Sequence, residues 1–210
     1  MKIIKNFITE AEVKEIKYWL KDYNPNTPKI ENIHIKEIND KINGFSILKD
    51  ITKTEVSSYI SAYQGDNTVV EEVPLILETI KDRIAEQLNL NKDHVFVQVI
   101  SMAGGGCVKA HYDAGIPGYL TYKGNANLEG PEVETVFVGK EKLEAGVKDL
   151  YCFEANLFKH WVDVSENNRI ILSYGFIVPY SDLRWDADSP RVRLSERIWN
   201  NYIKNQSTSM

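Results

Sequence analysis

The chain has 210 residues, 43% of them hydrophobic, which is enough to bury one substantial core and unlike a disordered or low-complexity polypeptide. A formal net charge of −5 and a pI near 5.5 argue against a dominant electrostatic footprint for nucleic acid. The opening MKIIKNFITEAEV lacks an apolar run of signal-peptide length and no other span is long enough to cross a bilayer, so one cytoplasmic domain over residues 1–210, away from membranes, is expected.

Residues 1–90 read mainly as a helical flank. In ITEAEVKEIKYWLKDY, Thr9 and Glu12 form a capping box ahead of the apolar stripe Val13, Ile16, Trp19 and Leu20. Pro25, Pro28 and Gly44 break the following stretch into short strands and loops. ITKTEVSSYISAY repeats the capping device with Thr52 and Glu55, and VPLILETIKDRIAEQLNL supplies a third helix through Leu75, Leu77, Ile80, Ile84 and Leu88.

The texture changes at Asn91. HVFVQVISM, GYLTYKG, VETVFVG, DLYCFEA, KHWVDV and RIILSYGFIV are rich in β-branched and aromatic residues, and Gly, Asn and Asp clusters separate them. They predict a sandwich or barrel of antiparallel strands over 91–180. Residues 181–210 close the chain with a helix, capped by Ser189 and begun at Pro190. Cys107 and Cys152 stand in no metal-binding spacing and read as reduced, structural thiols.

Chemistry concentrates at GGGCVKAHYDAG. On an extended strand, residues two apart project to one face, so His111 and Asp113 would present an imidazole and a carboxylate side by side. Alone the pair is weak evidence, but His160 supplies a third ligand on another predicted strand. Two neutral nitrogens and one carboxylate leave coordination positions open for a bidentate co-substrate and O₂, which suits non-haem Fe(II); zinc is the second choice. KHWVDVSENNRIILSYG reads as a hairpin turning at SENN, which sets Val164 opposite Arg169, Val162 opposite Ile171 and His160 opposite Ser173. Arg169 would then share the face of His160 and could grip a carboxylate in a planar, two-pronged bond.

His-x-Asp, a distal His and an Arg about ten residues further resemble the Fe(II)- and 2-oxoglutarate-dependent oxygenase superfamily over roughly Val95 to Val178, and VQVISMAGGGCVKAHYD looks like the approach to the ligands in its prolyl-hydroxylase-like members. The resemblance implies an α+β fold, a double-stranded β-helix (jelly-roll or cupin-like) core flanked by N-terminal helices and a C-terminal helix. It implies that His111, Asp113 and His160 bind Fe(II) and that Arg169, helped by Ser173, holds the distal carboxylate of 2-oxoglutarate. O₂ is the oxidant, with ascorbate as an optional reductant. Many relatives carry a tyrosine nine residues before the first ligand; here that residue is Met102, and Tyr119, Thr121 or Tyr122 would supply the hydroxyl instead. The retained Asp113 implies hydroxylation, or a related desaturation or cyclisation, rather than halogenation.

The substrate is less legible. Glu132 and Glu134 share one face of a predicted strand and could meet a cationic group, Trp161 could shield the centre, and Arg184, Arg191 and Arg193 could meet a carboxylate. A small molecule, an amino acid or a peptidyl side chain is expected, with no nucleic acid. The alternatives are a cupin-like metal protein without 2-oxoglutarate chemistry and a nucleic-acid demethylase.

Overall fold

The computed structural model describes residues 1–22, 42–47, 74–91, 95–102, 104–113, 118–183 and 189–207. Ten strands and three helices are defined among them: β1 (Lys2–Ile4), α1 (Glu10–Asp22), β2 (Ile42–Ile47), α2 (Leu75–Leu88), β3 (Val95–Met102), β4 (Gly106–His111), β5 (Tyr119–Glu129), β6 (Glu134–Val138), β7 (Glu141–Ala145), β8 (Leu150–Glu154), β9 (His160–Ser165), β10 (Arg169–Pro179) and α3 (Pro190–Ser207). The strands form a six-stranded sheet, in the order β1-β8-β5-β10-β3-β2, and a four-stranded sheet, in the order β4-β9-β6-β7. Every pairing is antiparallel. From β3 onward the chain alternates between the sheets, staying in one only for the β6–β7 hairpin. That alternation makes the double-stranded β-helix, and with its helices the fold is α+β.

The predicted helix starts hold where the structure describes them. Thr9 and Glu12 make the reciprocal capping box, with Thr9 N–H donating to Glu12 Oε2 at 2.7 Å and Glu12 N–H to Thr9 Oγ1 at 3.2 Å. Ser189 Oγ accepts from Val192 N–H at 3.2 Å, so Pro190 opens α3 at the position where its missing N–H costs nothing. In α2, Leu77, Ile80 and Ile84 are buried, but Leu75, placed in the apolar stripe by spacing alone, is 79% exposed. The expected helix at Thr52 and Glu55 lies outside the described residues. Two strands come from the expected helical flank: β1 and β2 form the two edges of the larger sheet.

The six strands read from texture are all present. The hairpin built on two of them is not: β9 pairs with β4 and β6 in the smaller sheet, whereas β10 pairs with β3 and β5 in the larger. SENN is therefore a short crossover between sheets rather than a turn within one. His160 pairs with His111 and Val138, and Ser173 with Asn125 and Gln98.

Burial follows from this layering. Leu120, Ala126 and Leu128 of β5, Leu172, Tyr174, Phe176 and Val178 of β10, and Leu150 and Cys152 of β8 pack against Ile16 of α1 and Leu77, Ile80 and Ile84 of α2. The apolar face of the larger sheet thus points outward beneath the helices. Its other face meets the smaller sheet through a second core in which Tyr151 and Phe153 join Val136, Val138 and Val162.

Candidate metal centre

The turn before β4 explains the glycine run. Gly105 has φ of +79°, a backbone conformation that L side chains rarely adopt, and a Cβ on Gly104 would lie 2.4 Å from the carbonyl oxygen of Glu166. The Gly105 N–H donates to Ser165 O at 2.7 Å and the Gly104 N–H to Asn168 Oδ1 at 3.1 Å. The turn is thereby pinned to the β9–β10 crossover, and β4 starts in register with β9.

That register delivers the ligands. His111 at the end of β4 lies opposite His160 at the start of β9, with ring centroids 4.3 Å apart. Asp113 falls just beyond β4, where its N–H donates to Ala155 O at 3.0 Å. Its Oδ1 lies 3.3 Å from His111 Nε2 and 3.5 Å from His160 Nε2. One ligand atom from each residue falls within 4.8 Å of the others. His111 Nδ1 faces Lys109 O at 2.7 Å and His160 Nδ1 faces Phe158 O at 3.1 Å. A carbonyl only accepts, so both Nδ1 atoms carry a proton, and both Nε2 atoms face Asp113. This outer support orients the imidazoles as a metal requires.

Asp113 Oδ2 is tied to Lys123 Nζ at 3.0 Å. Burial alone would raise the Asp113 carboxyl, but Lys123 and the two imidazoles outweigh it and hold it well below the usual range. The carboxylate form is thereby favoured, with one oxygen engaged by Lys123 and the other facing the two imidazoles. Such a set fits a divalent cation like Fe(II) and leaves positions for further ligands.

Behind the centre, β5 lies between β8 and β10, and its alternation turns Thr121, Lys123, Asn125 and Asn127 away from the apolar face beneath the helices. Asn125 is flanked by Tyr151 of β8 and Ser173 of β10. Among the described residues, Thr121 Oγ1, Asn125 Oδ1, Asn127 Oδ1 and Ser173 Oγ are buried without a hydrogen-bond partner. The Tyr151 oxygen accepts from Arg169 Nη2 at 2.8 Å and from Asn125 Nδ2 at 3.2 Å, so its own proton remains available to an incoming acceptor. Native interiors seldom leave so many polar atoms unanswered, and together with the Arg169 guanidinium they fit a small polar anion such as a dicarboxylate.

Arg169 reaches this interior already partnered. Its Nε lies 2.7 Å from Glu134 Oε2, and both side chains are buried. The approach is a charge contact without aligned hydrogen bonds, since among the described residues neither Nε nor either Glu134 oxygen has a partner of good geometry.

The structure brings together His111, Asp113 and His160, and it sets Arg169, Ser173 and Thr121 within the sandwich. Tyr119 starts β5 half-buried, with its carbonyl taken by Asn156. Three readings change. Glu132 is exposed ahead of β6 whereas Glu134 is buried, so they do not share a face, and Glu134 meets an internal arginine rather than a cationic substrate. Trp161 projects from the other side of β9 from His160 and stacks on Phe137, with centroids 4.8 Å apart and an interplanar angle of 4°, so it does not cover the centre. Arg191 pairs with Glu154 at 2.9 Å on the surface. Arg184 lies outside the described residues. Sequence reasoning missed Lys123, Asn125, Asn127 and Tyr151, although the period-two pattern of KGNANL was visible.

No family model and no curated protein matches the sequence. Solved structures do. A Pseudomonas putida prolyl-4-hydroxylase aligns with a TM-score of 0.53 at 12% identity, over 83% of this chain and 90% of that one. A collagen prolyl hydroxylase of Paramecium bursaria Chlorella virus 1, solved as its 2OG complex, gives 0.54 at 14% identity, over 84% and 94%. A Trichoplax adhaerens prolyl hydroxylase, in complex with a hypoxia-inducible-factor peptide, gives 0.50 at 11% identity, over 88% and 87%. What these likenesses show is the fold, a double-stranded β-helix shared across more than four fifths of the chain.

Proposed function

We propose that the protein is an Fe(II)- and 2-oxoglutarate-dependent oxygenase that hydroxylates an unactivated C–H bond of a small molecule, an amino acid or a peptidyl side chain. The observation that carries this reading is the convergence of His111 Nε2, His160 Nε2 and Asp113 Oδ1, each with its orientation fixed by a separate contact. Likeness of fold to prolyl hydroxylases, one solved with 2OG and one with a peptide, supports both the co-substrate and the substrate class.

His111, Asp113 and His160 would hold the iron. Iron held there would activate O₂, with 2-oxoglutarate supplying two electrons and leaving as succinate and CO₂ while the second oxygen atom passes to the substrate. Arg169 would attract the distal carboxylate, Tyr151 would donate its free hydroxyl proton to it, and Ser173 and Asn125 line the same interior. Lys123 keeps Asp113 ionised and in place, and Phe153, 4.8 Å from the His160 ring, contributes an apolar wall that keeps water from one side of the imidazole. The test is succinate formation by the Fe(II)-loaded protein with 2-oxoglutarate, together with a mass-spectrometric screen of amino acids and peptides for gain of one oxygen atom. A protein that neither binds 2-oxoglutarate anaerobically nor forms succinate is not an enzyme of this class.

A further inference from the structure

The Glu134–Arg169 pair is the feature that the proposed function does not use. A guanidinium meant to attract a carboxylate from solution is already in contact with one from its own chain, at 2.7 Å, with both side chains shielded from water. Other groups around Glu134 do little to neutralise it. Tyr151 of β8 is uncharged, Asn127 of β5 offers only an amide, and among the charged groups acting on Glu134 Arg169 of β10 is the cation. A second carboxylate arriving at Arg169 would place two negative charges around one positive charge in a medium that screens them poorly.

We propose that Glu134 is an internal competitor for the distal carboxylate of the co-substrate and so sets how strongly the site prefers a 2-oxo diacid over a 2-oxo monoacid. This rests on the oxygenase reading above. With Arg169 neutralised from within, the ligand-free pocket has little net charge to offer at its far end. A monoacid with an apolar tail loses little there, while a diacid must either displace Glu134 or bind with Glu134 protonated. Burial, only partly opposed by Arg169 and Asn127, already pushes the Glu134 carboxyl upward, which makes protonation the less costly route. Diacid binding would then take up a proton, and its affinity would rise as the pH falls toward the carboxylate range.

The experiment is a calorimetric titration of 2-oxoglutarate and of 2-oxopentanoate, which has the same chain length but no distal carboxylate, into the anaerobic Fe(II)-loaded protein and its Glu134→Gln variant. Glu134→Gln keeps the shape and removes the competing charge, so 2-oxoglutarate should bind the variant at least about tenfold more tightly at neutral pH, with 2-oxopentanoate unaffected. The advantage should shrink as the pH falls, and because protonation of the metal ligands is common to both proteins, it cancels from the ratio. Equal or weaker binding of 2-oxoglutarate by the variant would overturn the proposal and make Glu134 a positioning residue for Arg169. Should the variant fail to fold, the wild type decides alone: a preference for the diacid below about tenfold supports the competitor, and a larger one contradicts it. Binding of neither acid to either protein would instead remove the underlying co-substrate reading.

Discussion

The two ends of the sandwich interior solve opposite electrostatic problems. At one end, His111, His160 and Asp113 each have their outer atom satisfied by the protein and their inner atom aimed at a common point, so the arrangement makes most sense around a cation. At the other end, Arg169 faces Glu134 and Tyr151, and the charge is balanced before any ligand arrives. Attracting a small ion takes converging lone pairs, whereas a pocket for an organic anion can hold its cation in reserve against an internal partner.

Substitutions should separate these ends. Asp113→Ala removes the only carboxylate of the triad and should lower metal affinity by more than ~100-fold, since even the loss of an outer-shell partner costs ten- to a hundredfold; a metal titration followed by calorimetry reads this directly. Arg169→Ala leaves Glu134 buried without its cation and should cost about 3–5 kcal/mol in chemical denaturation while leaving metal affinity nearly intact. Adding Glu134→Gln to it should recover part of that loss. If Asp113→Ala and Arg169→Ala weakened the metal equally, the division into two ends would be wrong.

Smaller effects should fall outside both ends. Asp149 accepts hydrogen bonds from Lys5 Nζ at 2.8 Å, Gly146 N–H at 2.7 Å and Asn6 N–H at 2.9 Å. Burial would raise its carboxyl, but Lys5 and the two N–H groups together lower it. A carboxyl lowered by folding stabilises the protein fully above the unfolded-state pKa of about 3.9, and this is lost as the pH falls through that range toward the folded value. Asp149→Asn should therefore flatten the acid limb of a stability-against-pH profile and cost about 1–2 kcal/mol at neutral pH. Trp161→Ala should cost about 1 kcal/mol through the lost Phe137 stack and change neither metal nor co-substrate affinity.

The convergence of His111, Asp113 and His160 was largely legible in the sequence because its signals are short-range or distinctive: His-x-Asp at the end of one strand, a histidine at the start of another, and glycines where the backbone must turn. The anchor end was misread for a topological reason. A turn signal such as SENN says that the chain reverses, but not whether it stays in its sheet, and here β9 and β10 part into facing sheets. Lys123, Asn125 and Asn127 were passed over because a polar alternate face ordinarily points to solvent. In this fold the helices cover the apolar face of β5, and the polar face turns inward. Glu134 was assigned to a substrate cation for the same reason, since its internal partner lies 35 positions away across the sandwich.

The central claim is that the two ends belong to one site, with a metal at the triad and a 2-oxo diacid reaching from it to Arg169. Titrating 2-oxoglutarate into the protein with and without Fe(II), in the absence of O₂, tests it most directly. Binding that requires the metal and is weakened by Arg169→Ala is the predicted result. Binding that ignores the metal, or none at all in its presence, would contradict the account.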